Sequence, residues 1–237
     1  MPRLDKILSN LKYGSRKDVR NLIKKGSVLV NNDIVKVFDM QVDPTYDKIS
    51  VNGKPLFLKE NVILSFYKPK GFLSSHKDSL HLTLFEWIKE PYQRLDLKIA
   101  GRLDLDSEGL MILTTDGDLI HRITHPKKHL DKIYEVILDK DVEEASLEPL
   151  KIGVLLKDPH GETYNAVAKD LVCRNEKCRI VIDEGKFHQV KLMFKKIGYE
   201  VLNLKRIQIG NLKLNLEPGQ YQEINIEDIF GDKDDGN

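Results

Sequence analysis

Leu4, Ile7, Leu8 and Leu11 recur at helical spacing, which predicts a short helix at the start of the chain. A second helix follows, with Ser15 placed to cap it, Asp18 three residues on and Gly26 to stop it. Val19, Leu22 and Ile23 share one face of that helix, and Arg16, Lys17, Arg20 and Lys24 form a stripe on another. Ser27 to Lys36 then reads as two short strands about an Asn31-Asn32 turn, with a further turn at Asn52-Gly53. Asp43-Pro44 and Gly53-Lys54-Pro55 mark the exit from this unit, so a first domain over 1–58 and a second over 59–230 are expected.

The second domain opens on an apolar strand, Asn61 to Tyr67, broken by Lys68-Pro69-Lys70-Gly71. Leu84, Trp87 and Ile88 predict a short helix over Thr83 to Lys89. Lys132 to Leu138, Arg179 to Ile182 and Ile207 to Leu216 read as strands. A helix starting near Phe187 would bury Phe187, Val190, Phe194 and Ile197, with Lys191 at the edge of that face. The pattern is that of a mixed α+β domain, without internal repeats or low-complexity segments.

Composition narrows the picture. With 41% hydrophobic and 32% charged residues over 237 positions, the chain can bury a core. No apolar run approaches the roughly 20 residues that span a bilayer, and the charged N-terminus does not read as a secretory signal, so no membrane association and a cytoplasmic location are expected. Cys173 and Cys178 are spaced to face each other across a hairpin, but in a cytoplasmic protein reduced thiols are expected.

The net charge of +1 hides a polarised chain. Residues 1–25 carry eight basic side chains against two acids, among them Arg3, Lys6, Arg16, Lys17, Arg20 and Lys24. Residues 227–237 carry five acids and one lysine, and 231–237 reads as a solvated acidic tail. A basic head suggests a polyanionic partner, although on charge alone a solvated helix face is the favoured reading of the stripe. Arg3-Leu4-Asp5-Lys6, Ser15-Arg16, Ile23-Lys24-Lys25-Gly26, Val28 and Val30-Asn31 resemble the S4 RNA-binding module over nearly its whole length. That resemblance implies a stripe seated on RNA phosphates, which contributes salt-dependent affinity without reading bases.

The densest chemistry lies in Gly101-Arg102-Leu103-Asp104-Leu105-Asp106-Ser107-Glu108-Gly109-Leu110, where three acids between glycines feed an apolar strand. A charged loop is usually solvated surface. The oxygen-ligand pattern of a calcium loop is absent, and a glycosidase pair is not specified by such spacing. His121, His125 and His129 recur at i, i+4 and i+8, but Pro126 argues against one continuous helix through them, and no metal is expected.

The run from Ala100 to Gly117 resembles the catalytic motif of the RsuA-type rRNA pseudouridine synthases. The likeness continues in order through Lys68 to Gly71, His121 to Pro126, Lys132 to Tyr134, Gly153-Val154 and Glu184 to Lys191. It implies an S4 module ahead of a mixed, largely antiparallel-sheet synthase domain. It further implies an isomerase that turns a uridine of 16S rRNA, at position 516, into pseudouridine, acting as a monomer on that RNA or on a small-subunit assembly intermediate. Asp104 becomes the catalytic aspartate, Lys191 its basic partner, Tyr134 the ring that packs on the target base, and Arg102 an occupant of the space the extruded nucleotide leaves. Uridine isomerisation needs no redox cofactor, ATP or metal, and no cofactor is implied. The bland alternatives are a core tyrosine at 134 and an exposed lysine at 191. The competing readings of function are a large-subunit 23S rRNA synthase, a non-catalytic S4-type binding protein and an RNA N-glycosidase.

Overall fold

The computed structural model describes residues 1–125 and 128–231, so Pro126 and the acidic tail beyond Gly231 lie outside the described residues. The chain divides into two compact units, one formed by Met1–Val62 with Ile88–Leu97 and the other by Ile63–Trp87 with Lys98 onward.

In the first unit, α1 (Leu4–Asn10) and α2 (Arg16–Lys24) precede β1 (Val28–Val30), β2 (Asp33–Ile34), β3 (Ile49–Val51) and β4 (Lys54–Pro55). Ser15 and Asp18 close a reciprocal capping box at the start of α2. Asn31 and Asn32 both take positive φ, as a two-residue turn between β1 and β2 requires. The strands form one antiparallel sheet in the order β2-β1-β3-β4. Leu4, Leu8, Val19, Ile23, Val28 and Val42 are fully buried in its core.

A segment expected in the second domain belongs to this first unit. Lys12 Nζ donates to the carbonyls of Leu95 at 2.7 Å and Gln93 at 3.3 Å, and the Arg94 guanidinium lies 4.0 Å from the centre of the Tyr13 ring. The predicted helix over Thr83 to Lys89 is a single 3₁₀ turn, Leu84–Trp87, because the next residue, Ile88, is buried as part of the first unit.

The second unit is built on one long sheet. Its strands are β5 (Ile63–Lys68), β6 (Lys98–Ala100), β7 (Glu108–Thr114), β8 (Lys132–Leu138), then β9 (Val154–Lys157) and β10 (Thr163–Ala166), which pair separately. They are followed by β11 (Asp170–Arg174), β12 (Lys177–Ile182), β13 (Val201–Ile209), β14 (Leu212–Lys213) and β15 (Tyr221–Glu223). Among the described residues the main path runs β11-β12-β8-β13-β7-β5-β15, with β14 paired to β13 and β6 to β7. Every pairing is antiparallel except β13 with β7. Helices α3 (Gly117–Thr124), α4 (Glu148–Ile152), α5 (Gln189–Lys196) and α6 (Glu227–Phe230) complete the unit.

The parallel pairing explains one glycine of the acidic loop. Arg206 lies opposite Gly109, and a Cβ on Gly109 would stand 2.3 Å from the Arg206 carbonyl oxygen. With φ at +113° as well, only glycine lets β7 run this close to β13 and so fixes where the loop ahead of it ends.

Several expectations change. Ile207 to Leu216 is not one strand, because Gly210, at φ +54°, turns the chain between β13 and β14. The Asp116 side chain accepts from the amides of Asp118 and Leu119 and caps α3. That helix stops at Thr124, so His129 is off its face and pairs instead with Asp183. The expected reduced thiols are a disulfide. The two-residue turn between β11 and β12 sets Cys173 directly opposite Cys178, and the sulfurs are bonded.

Candidate active site

The loop from Gly101 to Ser107 is held from below by the segment that breaks β5. Lys68, with no exposed surface, donates to the Ser107 carbonyl at 2.6 Å and to that of Pro69 at 3.1 Å. The Gly71 amide donates to the Leu105 carbonyl, and the Ser74 hydroxyl both donates to and accepts from the backbone of Leu103. Burial lowers the Lys68 ammonium to about 8 against the pull of Asp104, Asp106 and Glu108. Thus the motif Lys68 to Gly71 works as the underside of the acidic loop.

The three acids of the loop have different partners. Lys191 Nζ lies 2.9 Å from Asp104 Oδ2 and 2.6 Å from Asp106 Oδ1, while His188 Nε2 stands 3.1 Å from Asp104 Oδ1. Glu108 instead accepts from the Tyr67 hydroxyl at 2.7 Å and from Asn203. Burial disfavours the Lys191 ammonium, but Asp106 and Asp104 outweigh it and raise its pKa. For Asp106 burial is likewise overcome by Lys191, and its carboxyl lies below the usual range.

Lys191 reaches the loop from α5, whose start differs from expectation. The helix begins at Gln189, His188 takes a left-handed conformation just before it, and Phe187 is 54% exposed. Met193 joins Val190 and Phe194 on the buried face in its place. This left-handed residue turns the His188 ring toward Asp104 while Phe187 stacks on that ring at 3.8 Å between centres.

Asp104, Arg102 and Tyr134 line one cleft together with Lys132, Arg206 and Glu184. Tyr134 stands on β8 opposite Arg206 of β13 and Ile180 of β12, and it is 6% exposed, so the sheet face is the cleft floor. Arg102 is exposed at the rim. Sequence reasoning placed Asp104, Tyr134, Lys191 and Arg102; it did not find His188 as a neighbour of Asp104, the sharing of Lys191 with Asp106, or the two buried cations of the floor. His188 sits inside the motif Glu184 to Lys191, so the signal was present. Lys132 opens the motif Lys132 to Tyr134, so its signal was present as well; Arg206 carried none beyond being a cation in an apolar strand.

Apart from Arg102, the predicted RNA-binding cations lie in the first unit. Arg3, Lys6, Arg16 and Arg20 surround Asp5, and Lys17 and Lys24 are exposed on α2. Arg3 and Arg20 are not a free stripe. Both bond the buried Asp5 carboxylate, at 2.9 and 3.3 Å, and both lie over the Phe38 ring. Burial works against the charge on Asp5, yet the two arginines hold its carboxyl below the usual range.

A small basic module followed along the chain by a mixed sheet with an aspartate-lysine cleft is the layout that the sequence resemblance implies for an RNA-modifying enzyme. The model of the RNA pseudouridylate synthase family matches residues 62–196 and that of the S4 domain residues 2–45. A Bacillus subtilis protein named as an uncharacterized RNA pseudouridine synthase is 38% identical over 96% of both chains. The ribosomal small subunit pseudouridine synthase A of Vibrio vulnificus is 35% identical over 96% of this chain and 97% of its own. A crystal structure of a pseudouridylate synthase superposes with a TM-score of 0.66 at 33% identity, covering 97% of this chain and 98% of that one. The chain belongs to the RsuA family of RNA pseudouridine synthases, enzymes that isomerise uridine to pseudouridine in RNA.

Proposed function

We propose that this enzyme isomerises one uridine of 16S rRNA, that at position 516, with Asp104 as the reacting carboxylate. The observation that carries the reading is the bracketing of Asp104 by Lys191 and His188 at the mouth of a cleft floored by Tyr134. Lys191 and His188 hold the Asp104 carboxylate in place for any of the available routes: addition to the base, attack on the sugar carbon or removal of a sugar proton. Tyr134 stacks on the extruded uracil, whose removal from a helix costs about a few kcal/mol and less from a loop. Arg102 fills the space the nucleotide vacates. Arg3, Lys6, Arg16, Lys17, Arg20 and Lys24 seat the first unit on phosphates, so base choice comes from RNA shape and the cleft.

The 16S assignment is supported by full-length relatives named for the small subunit and by His121 to His125, Gly153-Val154 and Phe187 to Lys191 in the sequence. The enzyme acts as a cytoplasmic monomer on free rRNA or on a small-subunit assembly particle. Purified protein incubated separately with 16S rRNA, its early assembly particles and 23S rRNA, followed by mapping of pseudouridine, is expected to modify one small-subunit uridine. Modification confined to 23S rRNA overturns the target and leaves the enzyme class standing; an abasic product overturns the reaction.

A further inference from the structure

The cleft floor holds two buried cations that no carboxylate among the described residues approaches within ion-pair distance. Lys132 is 5% exposed and Arg206 2%. Lys132 and Tyr134 are two residues apart on β8 and therefore point to one face, and Arg206 is the β13 residue opposite Tyr134. Lys132 Nζ donates to the Leu130 carbonyl at 2.8 Å. Arg206 donates to the carbonyls of Leu110 and Gly101 and to the Met111 sulfur. Among the described residues no carboxylate comes within 4 Å of either. The acids that do act on Lys132, namely Asp183, Asp131 and Glu184, are engaged by His129, Lys169 and Gln189.

Such an arrangement costs the fold twice, in desolvation and in mutual repulsion. Lys68 gives the contrast. It is as deeply buried, but its hydrogen bond to the Ser107 carbonyl ties the loop, its other goes to the adjacent Pro69 carbonyl, and it does not line the cleft, so its cost is offset by a scaffold. Lys132 has one carbonyl and faces the place where Tyr134 would hold a base.

We propose that Lys132 is a catalytic residue that stabilises the uracil anion released when the glycosidic bond breaks, with Arg206 adding to the same positive field. The inference rests on Asp104 and Tyr134 being the reacting site. In the step concerned the C1′–N1 bond breaks and its electron pair stays with the base, spread over N1, O2 and O4. The Asp104 carboxylate meanwhile either bonds to C1′ or takes the C2′ proton. The base then turns, C5 bonds to C1′ as Asp104 is released or returns that proton, the C5 proton leaves to solvent, and N1 gains a proton. Between cleavage and rejoining, the negative charge sits on the base over Lys132, in a cleft where a fixed cation acts far more strongly than in water.

The test varies the leaving group. Single-turnover consumption of uridine and of 5-fluorouridine is followed by nuclease digestion and chromatography, with 16S and 23S transcripts, each free and assembled with total ribosomal proteins. Fluorine makes the base a better anion and lessens its need for a cation. Lys132→Met is expected to slow uridine consumption by about a hundredfold or more, as loss of an electrostatic stabiliser does, but 5-fluorouridine consumption by about tenfold or less. Lys132→Arg should recover most of the uridine rate. Equal loss on both bases together with a lowered melting temperature would make Lys132 a structural residue, and wild-type rates in Lys132→Met would remove it from the chemistry. Asp104→Asn run alongside separates the two readings: if it turns over, the site itself is misassigned, and if it is dead while Lys132→Met is normal, only the present inference fails.

Discussion

The two units treat buried charge in opposite ways. In the first, the carboxylate of Asp5 is buried and answered at once by Arg3 and Arg20, half-exposed side chains that also cover the Phe38 ring. In the second, Lys132 and Arg206 are buried facing a cleft with only neutral oxygens and a sulfur as partners. A neutralised pair organises a surface, and Arg16, Lys17 and Lys24 stay in water, where they are suited to phosphates. An unanswered cation is a standing cost that a fold keeps where charge appears during a reaction. On the function proposed above, the difference separates holding RNA from changing it.

Removing the reacting carboxylate is the most severe way to probe that separation. Asp104→Asn is expected to lower the single-turnover rate at least about a thousandfold, at the upper end of what a reacting carboxyl contributes, with RNA affinity within about twofold of wild type by filter binding. Lys191 retains Asp106 as a partner in this variant, so the loop should keep its place. A variant that keeps its rate, or that loses affinity in proportion, would show that the two units do not divide the work.

The complementary change is made on α2. Arg16, Lys17 and Lys24 are exposed, and among the described residues no carboxylate lies within ion-pair distance of them. Replacing all three with alanine should weaken binding about tenfold or more near physiological salt and reduce the slope of log affinity against log salt by about two, because each phosphate contact contributes roughly 0.7 to 0.9. The rate at saturating RNA should not change. An unaltered slope would make the stripe an ordinary solvated face. Arg20 is left out because it also neutralises Asp5.

This comparison was only half legible in the sequence. The capping box, the Asn31-Asn32 turn and the strand Lys132–Leu138 follow from local rules, and the structure has them where the pattern puts them. What local rules cannot see is chain that returns from afar. Ile88–Leu97 joins the first unit through Lys12 and Arg94, and β13 lies parallel to β7, which makes Gly109 obligatory and sets Arg206 beside Gly101. The site shows the same division. Asp104 and Lys191 were visible as members of motifs, yet the competition of Asp106 for the same ammonium depends on where α5 ends up over the loop. Lys132 was visible in the motif that it shares with Tyr134, but Arg206 was hidden, because an arginine in an apolar strand gives no sign of which face it takes.

The smallest effect, and the one that tests the cost of unanswered cations without RNA, is the dependence of stability on alkaline pH. Burial lowers Lys132 to about 8, with Arg206 adding to it, and burial lowers Lys68 to about 8. Unfolded lysines titrate near 10.5. Between these values the unfolded chain therefore binds more protons than the native one, and stability must rise with pH. Below about 8 the lysines are charged in both states and contribute no slope. Tyr67 acts the other way: burial and the bond to Glu108 raise it, so above pH 10 the native state holds a proton that the unfolded chain releases, and stability falls. Urea midpoints should climb from pH 8 to 10 by on the order of 1–2 kcal/mol per lysine and then turn over. In Lys132→Met the climb should shrink by about half, with a midpoint at pH 7 equal to or above that of the wild type. A wild-type profile flat from pH 8 to 10, or a variant that loses stability at pH 7, would mean that Lys132 is already answered in the fold and that the contrast between the two units does not hold.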